Sequence, residues 1–178
     1  MKAIKIITLS IALVFIGIGS NAQMQVKNPE KKSIHSLGIS AGFTIGTGIS
    51  YKYSPNNFSV QLAILPYKNG EEYMFGTGLS FYYKIVDKDK IDFFIYQGNQ
   101  FFTQNMKEEV DLEGSSVLYT TPKVQKLIRR EFINVGLGFG FEFLIKERVS
   151  LNLMGGYGSL ENFKIIQPTG EISLFYNF

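Results

Sequence analysis

Residues able to catalyse a reaction are few in this chain. It has 178 residues, no Cys and one His, His35. The absence of Cys excludes thiol nucleophiles, iron–sulfur clusters and Cys-ligated zinc, and a single His excludes a multi-histidine metal site. No Ser and acidic residue stand around His35 in the spacing of a recognisable catalytic triad. We therefore expect no catalytic residue, no cofactor and no metal, and a lipid-modifying enzyme that uses His35 is only a third alternative for function.

Four charged residues occur at even-numbered positions in segments whose even-numbered positions are mostly small or polar: Lys52, Lys84, Asp92 and Glu142. A turn over 86–90 pairs Ile85 with Ile91 and therefore Lys84 with Asp92. Lys52 and Glu142 fall at a similar height. A charge in a narrow protein interior must be paired or hydrated. We predict that these four side chains form an ion-pair network in the interior of the fold.

A second set of charges lies in the segment 101–130, whose first half is mostly acidic and whose second half is basic. The basic residues are Lys123, Lys126, Arg129 and Arg130. A cluster of cations binds anionic lipid headgroups by electrostatic attraction, so these four are candidates for contact with lipopolysaccharide phosphates. A mobile, solvated loop is the alternative. The net charge of +3 is too small to indicate a nucleic-acid partner.

Alternation of large apolar with small or polar residues runs through most of the chain. Every odd position from 133 to 145 carries Ile, Val, Leu or Phe, and the even positions up to 142 carry Asn, Gly or Glu. A period of two indicates a β-strand. The alternation fails at Gln97 and Gly98, which predicts a bulge or a strand end there. Eight segments alternate in this way: 37–43, 47–53, 58–64, 75–85, 91–96, 133–145, 149–154 and 171–178.

The weaker face of these strands is mostly Gly and Ser. A water-soluble barrel or sandwich would turn its large apolar face inward and carry many Lys and Glu outside. Gly and Ser instead fit the crowded interior of a narrow barrel. We therefore predict an all-β fold, an eight-stranded antiparallel up-and-down transmembrane β-barrel over 34–178. The water-soluble barrel or sandwich is the alternative.

Connections between the predicted strands alternate between short and long. Short connections at 54–57, 86–90 and 146–148 are assigned to the periplasm, which places both termini there. The longer ones at 66–73, 101–130 and 159–169 are assigned outside. Residues 44–46 are predicted as a three-residue outer loop whose last residue, Gly46, suits a left-handed conformation.

Aromatic residues support this topology, because many of them share the apolar face close to a predicted periplasmic turn or terminus. Such a girdle is typical of the headgroup zone of a membrane. Its members are Tyr51, Tyr53, Phe58, Phe81, Tyr83, Phe93, Phe141, Phe143, Tyr176 and Phe178. Phe43, Phe75 and Tyr157 are expected to begin the opposite girdle.

The amino terminus has the pattern of a secretory signal peptide. Lys2 and Lys5 precede an apolar stretch over 6–19, and a small-x-small cleavage site follows at 20–22. An apolar stretch of this length is shorter than the roughly 20 residues that cross a bilayer as a helix. We predict a cleaved signal peptide over 1–22 and a short periplasmic segment over 23–33, with a retained anchor helix as the alternative.

The carboxyl end resembles the terminal strand of Gram-negative outer-membrane β-barrels. That family ends in Phe, with an aromatic residue two positions earlier and apolar residues at alternate positions before it. Four residues match: Phe178, Tyr176, Leu174 and Ile172. The resemblance implies recognition by the barrel-insertion machinery, with Phe178 and Tyr176 as the residues read. Because residues 20–23 also resemble signal peptides of Bacteroidota-type bacteria, the chain looks like a small eight-stranded barrel of that group.

The expected function is that of an integral outer-membrane barrel with a structural or surface-interaction role and no enzymatic activity. It would contact outer-membrane lipid through its girdle, and lipopolysaccharide or a protein partner through the segment 101–130. A narrow gated channel for small solutes, with a path past Lys84 and Asp92, is the alternative. Eight strands enclose only enough room for side chains or one small ligand, which disfavours a wide pore.

Overall fold

The computed structural model describes residues 35–70, 72–111 and 123–178. The segments predicted as 1–22 and 23–33 lie outside the described residues. The strands of the described part are β1 (His35–Ala41), β2 (Gly48–Tyr53), β3 (Phe58–Asn69), β4 (Glu72–Asp87), β5 (Ile91–Asp111), β6 (Lys123–Lys146), β7 (Val149–Leu160) and β8 (Ile165–Asn177). Among the described residues, no helix is long and apolar enough to cross a membrane.

Strand order confirms the predicted fold. Each strand pairs antiparallel with the next along the chain, and β1 also pairs with β8, so the sheet closes on itself. Closure pairs the edge strands with each other and removes the open sheet edge that they would otherwise present. The fold is an eight-stranded, antiparallel, up-and-down β-barrel.

Burial in this barrel is inverted relative to a water-soluble protein. Outward-pointing Ile39 and Leu137 are 61% and 64% exposed, whereas inward-pointing Ser50 and Gln61 are completely buried. Side chains alternate between the two faces of a strand, so the parity of the sequence decides which residues point outward. Most large apolar residues are therefore on the outside, and the lumen holds small and polar residues together with a few large side chains, Tyr82, Phe94, Tyr96, Met154 and Phe175.

Strands on one end of the barrel extend further than the sequence pattern predicts. The segment 101–130 is not one long loop, because β5 and β6 pair continuously from Ile91 opposite Phe143 to Asp111 opposite Lys123. In the same way β3 and β4 extend through most of 66–73, and β7 and β8 through much of 159–169. Backbone pairing continues where apolar and polar residues no longer alternate regularly, so the period of two does not mark it. Residues 112–122 lie outside the described part.

The β5–β6 pair projects beyond the neighbouring strands. Pairing of β4 with β5 ends at Asn105, and pairing of β6 with β7 ends at Val135. We call residues 106–111 and 123–130 the ribbon, and the end of the barrel that carries it the ribbon end. The opposite end, with connections at 54–57, 88–90 and 147–148, is the turn end.

Register irregularities differ from the predicted ones. β5 runs without a shift through Gln97 and Gly98, and the register of its pairing with β4 shifts instead between Lys84 and Val86. Lys84 therefore lies opposite Phe94, not opposite Asp92. A second shift lies between Leu144 and Lys146. Both shifts are next to tight connections at the turn end, where bulges are common.

Gln97 breaks the apolar parity without breaking the strand because its side chain has a local partner. Gln97 and Asn99 both point outward, and each amide donates a hydrogen bond to the other, at 2.8 and 3.0 Å. The Asn99 amide also donates to the Leu79 carbonyl at 3.3 Å. The two amides satisfy each other, so the strand continues unchanged.

The β1–β2 connection enters the barrel instead of forming the predicted outer loop. β1 ends at Ala41 and β2 begins at Gly48, and within the connection Thr44 and Ile45 are completely buried. Gly46 has a φ of 89°, in the left-handed region, as predicted. We call residues 42–47 the plug.

Candidate functional site

A layer of buried charge crosses the lumen near the turn end. Lys52 Nζ donates to both carboxylate oxygens of Glu142, at 2.8 Å each, and Lys84 Nζ lies 2.8 Å from an oxygen of Asp92. β2 and β6 are not neighbours in the sheet, so the Lys52 side chain spans the lumen to reach Glu142. The structure thus brings the four sequence-predicted charges together, in two pairs.

The position of the two acids explains why two lysines are present. Asp92 and Glu142 are directly opposite each other on β5 and β6. Two carboxylates on directly opposite residues of neighbouring strands repel each other unless cations compensate their charge. Lys84 pairs with Asp92 from the neighbouring strand β4. Lys52 pairs with Glu142 from β2, on the opposite side of the lumen.

Aromatic rings close the space around these pairs. The Lys52 ammonium lies 5.2 Å from the centre of the Phe175 ring and 6.0 Å from that of Tyr82. The Tyr82 and Phe94 rings meet edge to face at 5.3 Å between centroids, and the Tyr82 hydroxyl donates to Gln61 at 2.6 Å. Cation–π contacts of this kind are strongest where water is excluded. Together, the ion pairs and the rings around them form a layer of side chains across the lumen.

The plug closes the lumen a second time, towards the ribbon end. Glu171 on β8 accepts hydrogen bonds from both the backbone N–H, at 3.2 Å, and the hydroxyl of Thr44. The Asn134 amide donates to the Phe43 carbonyl at 3.0 Å, and the Ser40 hydroxyl donates to the Gly46 carbonyl at 2.9 Å. These bonds from β1, β6 and β8 hold the plug inside the barrel.

Glycines on three other strands make room for the plug. A Cβ atom at Gly78 would lie 2.1 Å from the Ile45 carbonyl oxygen, and one at Gly98 would lie 2.7 Å from the Thr44 carbonyl oxygen. At Gly136 it would lie 2.6 Å from the Thr44 hydroxyl. Real Cβ atoms do not approach other atoms this closely. The row of lumen glycines was the sequence signal for the plug, but their alignment across strands is visible only in the structure.

The four basic residues of the ribbon all lie on β6, between Lys123 and Arg130. Lys123 is paired in register with Asp111, and Lys126 with Glu108. Arg129 and Arg130 are exposed, and as neighbours on one strand they point to opposite faces of the ribbon. The Arg129 guanidinium is 2.6 Å from the Glu131 carboxylate. The register thus places an acidic position opposite each of the two lysines.

Outward-pointing residues of β8 form an exposed row. It consists of Ile172, Leu174, Tyr176 and Phe178, between 42% and 61% exposed. The Phe178 N–H donates to the His35 carbonyl at 3.0 Å, which joins the end of the chain to the start of β1. Arg148 donates to the Tyr176 hydroxyl at 3.2 Å, and this bond raises the pKa of the guanidinium above its ordinary value.

His35 lies in an aromatic cluster on the outer surface at the turn end. Its ring centroid is 5.3 Å from that of Tyr53, 6.1 Å from that of Tyr51 and 6.2 Å from that of Phe178. Its Nδ1 atom lies 2.6 Å from the Tyr51 hydroxyl. The neighbours of His35 are therefore aromatic residues of the outer surface, which we call the aromatic rim of the turn end. Within the described residues no group of three or more His, Cys, Asp or Glu side chains is arranged to hold a metal ion.

No protein-family model and no curated protein matches the chain. Among solved structures, the chain is similar to Neisserial surface protein A, with 16% sequence identity, a TM-score of 0.45, and 81% of this chain and 93% of the other covered. The N-terminal β-barrel domain of Pseudomonas aeruginosa OprF matches at 12% identity and a TM-score of 0.44, over 81% and 95%. The Yersinia pestis outer membrane protein Ail matches at 13% identity and a TM-score of 0.43, over 84% and 100%.

Proposed function

We propose that the chain is an integral outer-membrane β-barrel with a structural or surface-interaction role and no enzymatic activity. The observation that carries this proposal is the belt of large apolar side chains on the outside of a closed barrel whose interior is polar. Such a belt would be costly in water, whereas lipid solvates it. The termini and short turns of the turn end would face the periplasm, and the ribbon would face outward.

The belt has the height of a membrane. On β6 the outward positions from Ile133 to Ile145 are all apolar. The twelve steps between these two residues span about 40 Å along the strand, or about 30 Å along the barrel axis at a tilt of about 40°, close to the apolar band of outer-membrane barrels. The next outward residues towards the ribbon end are Glu131 and Arg129, which places the first charges at headgroup level.

A pair of matched substitutions tests the membrane assignment. Leu137 lies in the middle of the belt and Leu127 lies on the ribbon, and both are exposed. Leu137→Arg is expected to cost about 2–4 kcal/mol of stability in lipid vesicles, as a cation at the bilayer midplane does, and Leu127→Arg about zero. Urea titration of the folded protein in vesicles measures both. Equal effects of the two changes, or a wild-type chain that stays soluble without detergent, would contradict the proposal.

Lipopolysaccharide is the partner that we propose for the outer surface, with Lys123, Lys126, Arg129 and Arg130 as contacts. The support is the exposure of Arg129 and Arg130 directly above the apolar belt, where lipid phosphates lie. Arg129→Gln/Arg130→Gln is expected to reduce the lipopolysaccharide retained during purification and to weaken its dependence on salt. Lys88→Gln/Lys90→Gln, at the turn end, is the control. Unchanged retention in the arginine variant would refute this contact.

A narrow gated channel for small solutes is the second candidate, and the Lys52–Glu142 ion pair that crosses the lumen, with Lys84–Asp92 beside it, favours it. Charged pairs that can exchange partners provide a gate in a narrow pore. Single-channel recording in planar bilayers separates the two functions. A structural barrel shows no discrete openings. A channel shows openings whose frequency changes in Glu142→Gln.

A further inference from the structure

Several buried polar atoms of the lumen have no hydrogen-bond partner, and one of them belongs to the carboxylate of Glu171. One carboxylate oxygen of Glu171 accepts both hydrogen bonds from Thr44. The other, Oε2, is buried and has no hydrogen-bond partner, and Glu171 is only 5% exposed. A buried carboxylate oxygen without a partner is costly, so this atom needs a proton, water or a cation.

Two further buried hydroxyl groups lie in the same part of the lumen and interact with each other. They belong to Tyr96, which is 3% exposed, and Thr169, which is 7% exposed. The Tyr96 hydroxyl lies close to the hydroxyls of Thr169 and Thr44 and interacts electrostatically with Glu171. These two hydroxyls and the unpartnered Oε2 atom of Glu171 therefore lie in the same part of the lumen, beneath the plug.

Strand register explains how a tyrosine from β5 reaches β8. Tyr96 is opposite Gly138, Gly138 is opposite Gly156, and Gly156 is opposite Thr169. The two glycines leave an open surface for the ring, and a Cβ atom at Gly138 would lie 2.7 Å from a ring carbon of Tyr96. The glycine pair thus directs the hydroxyl across two strands towards Thr169.

No lysine or arginine of the described residues forms an ion pair with Glu171. The two lumen lysines are held by other acids, Lys52 by Glu142 and Lys84 by Asp92. An ionised Glu171 therefore requires a cation that the described residues do not supply. The three candidate ligands are hard oxygen atoms, which suit alkali and alkaline-earth ions rather than soft metals.

We propose that Glu171 Oε2, the Tyr96 hydroxyl and the Thr169 hydroxyl bind one small monovalent cation of the sodium or potassium class. One carboxylate neutralises one positive charge, which favours a monovalent over a divalent ion. Thr44 holds the other carboxylate oxygen and closes the site towards the ribbon end. This site lies inside the barrel and does not depend on the proposed surface role.

Cation-dependent stability of the purified, folded chain in a neutral detergent tests the site. Thermal unfolding is followed in sodium chloride, in potassium chloride and in N-methylglucamine chloride at equal ionic strength. A ligand that binds only the folded state at 100 times its Kd lowers the unfolding equilibrium constant about 100-fold. We expect such a shift with sodium or potassium and none with the bulky cation.

Three variants assign the shift to these residues. Glu171→Gln is expected to abolish the cation dependence, and Tyr96→Phe is expected to weaken it by at least several-fold while the fold is retained. Glu161→Gln removes an acid from an exposed position and should respond as the wild type does. If Glu171→Gln does not fold, Tyr96→Phe and a thallium(I) anomalous-scattering peak next to Glu171 in crystals of the wild type decide the question.

Three results would overturn the site. One is an identical cation response in the wild type, Glu171→Gln and Tyr96→Phe, or no response in any of them. Another is selective stabilisation by calcium, which would exclude a monovalent ion. The third is an infrared carbonyl band of a protonated carboxylic acid that is present in the wild type in saturating sodium chloride and absent from Glu171→Gln. Such a band would show that Glu171 is neutral.

Discussion

Lys52 shows how a charge is accommodated inside this barrel. Its ammonium is buried, donates to both oxygens of Glu142, and lies close to the Tyr82 and Phe175 rings. A buried ion pair often adds little net stability, because each charge loses its hydration. Removing only one partner is costly, because the other charge is then left buried and uncompensated.

Lys52→Met is therefore expected to destabilise the barrel by about 3–5 kcal/mol, because Glu142 is left opposite Asp92 with only Lys84 to compensate both. Lys52→Met/Glu142→Leu is expected to recover much of this loss. Urea titration in a neutral detergent measures both, with Lys88→Met at an exposed turn as the control. A Lys52→Met cost no larger than that of Lys88→Met would show that the pair is not buried in this way.

At the scale of elements, the plug is a loop that other strands accommodate. Its own residues provide Thr44 and Ile45, but the space they occupy comes from Gly78, Gly98 and Gly136 on β4, β5 and β6. The depth of this loop is therefore encoded in strands that are distant in the sequence.

Gly78→Ala is expected to displace the plug and to cost about 1–3 kcal/mol, as overpacking of a filled interior does. Gly170→Ala is the matched control, because nothing lies within 4 Å of the Cβ position there. The chain has no Cys, so Ile45→Cys provides a single thiol as a probe. Its labelling rate should rise in the Gly78→Ala background and stay low in the Gly170→Ala background. Equal rates would mean that Gly78 does not seat the plug.

β8 is the element that we propose the barrel-insertion machinery reads, through Phe178 and Tyr176. Phe178→Ser/Tyr176→Ser is expected to lower the amount of barrel assembled in the outer membrane of cells several-fold, while folding of the purified chain into detergent micelles is retained. Tyr83→Ser/Phe58→Ser, on the same outer rim but in other strands, is the control. An equal assembly defect in both variants would assign the effect to the aromatic rim and not to β8.

For the whole molecule, the sequence predicts the architecture well, because each strand carries its own evidence. The parity of Ile133 to Ile145 assigns the two faces of β6 correctly, and the closed eight-stranded order follows from short turns and alternation. The same parity places Lys52 and Glu142 in the lumen, and it therefore predicts that the two side chains approach each other.

Features that depend on several strands at once were not predictable from one sequence. In the ribbon, apolar and charged residues do not alternate regularly, so its pairing from Met106 to Asp111 has no hydropathy signal of period two. The register shift at Lys84 depends on how a tight turn closes. The convergence of Tyr96 and Thr169 depends on two glycines of intervening strands, which no local pattern identifies.

We propose above all that the outer belt of this barrel contacts lipid while the ribbon stands in water. Because the chain has no Trp, single Trp residues at Leu137, Phe143 and Leu127 report their surroundings without background. In vesicles of lipids brominated at defined depths, Leu137→Trp should be quenched most by deep bromines and Phe143→Trp by shallow ones. Leu127→Trp, although its position is also exposed, should not be quenched. Equal quenching at Leu127 and Leu137, or none at Leu137, would contradict the claim.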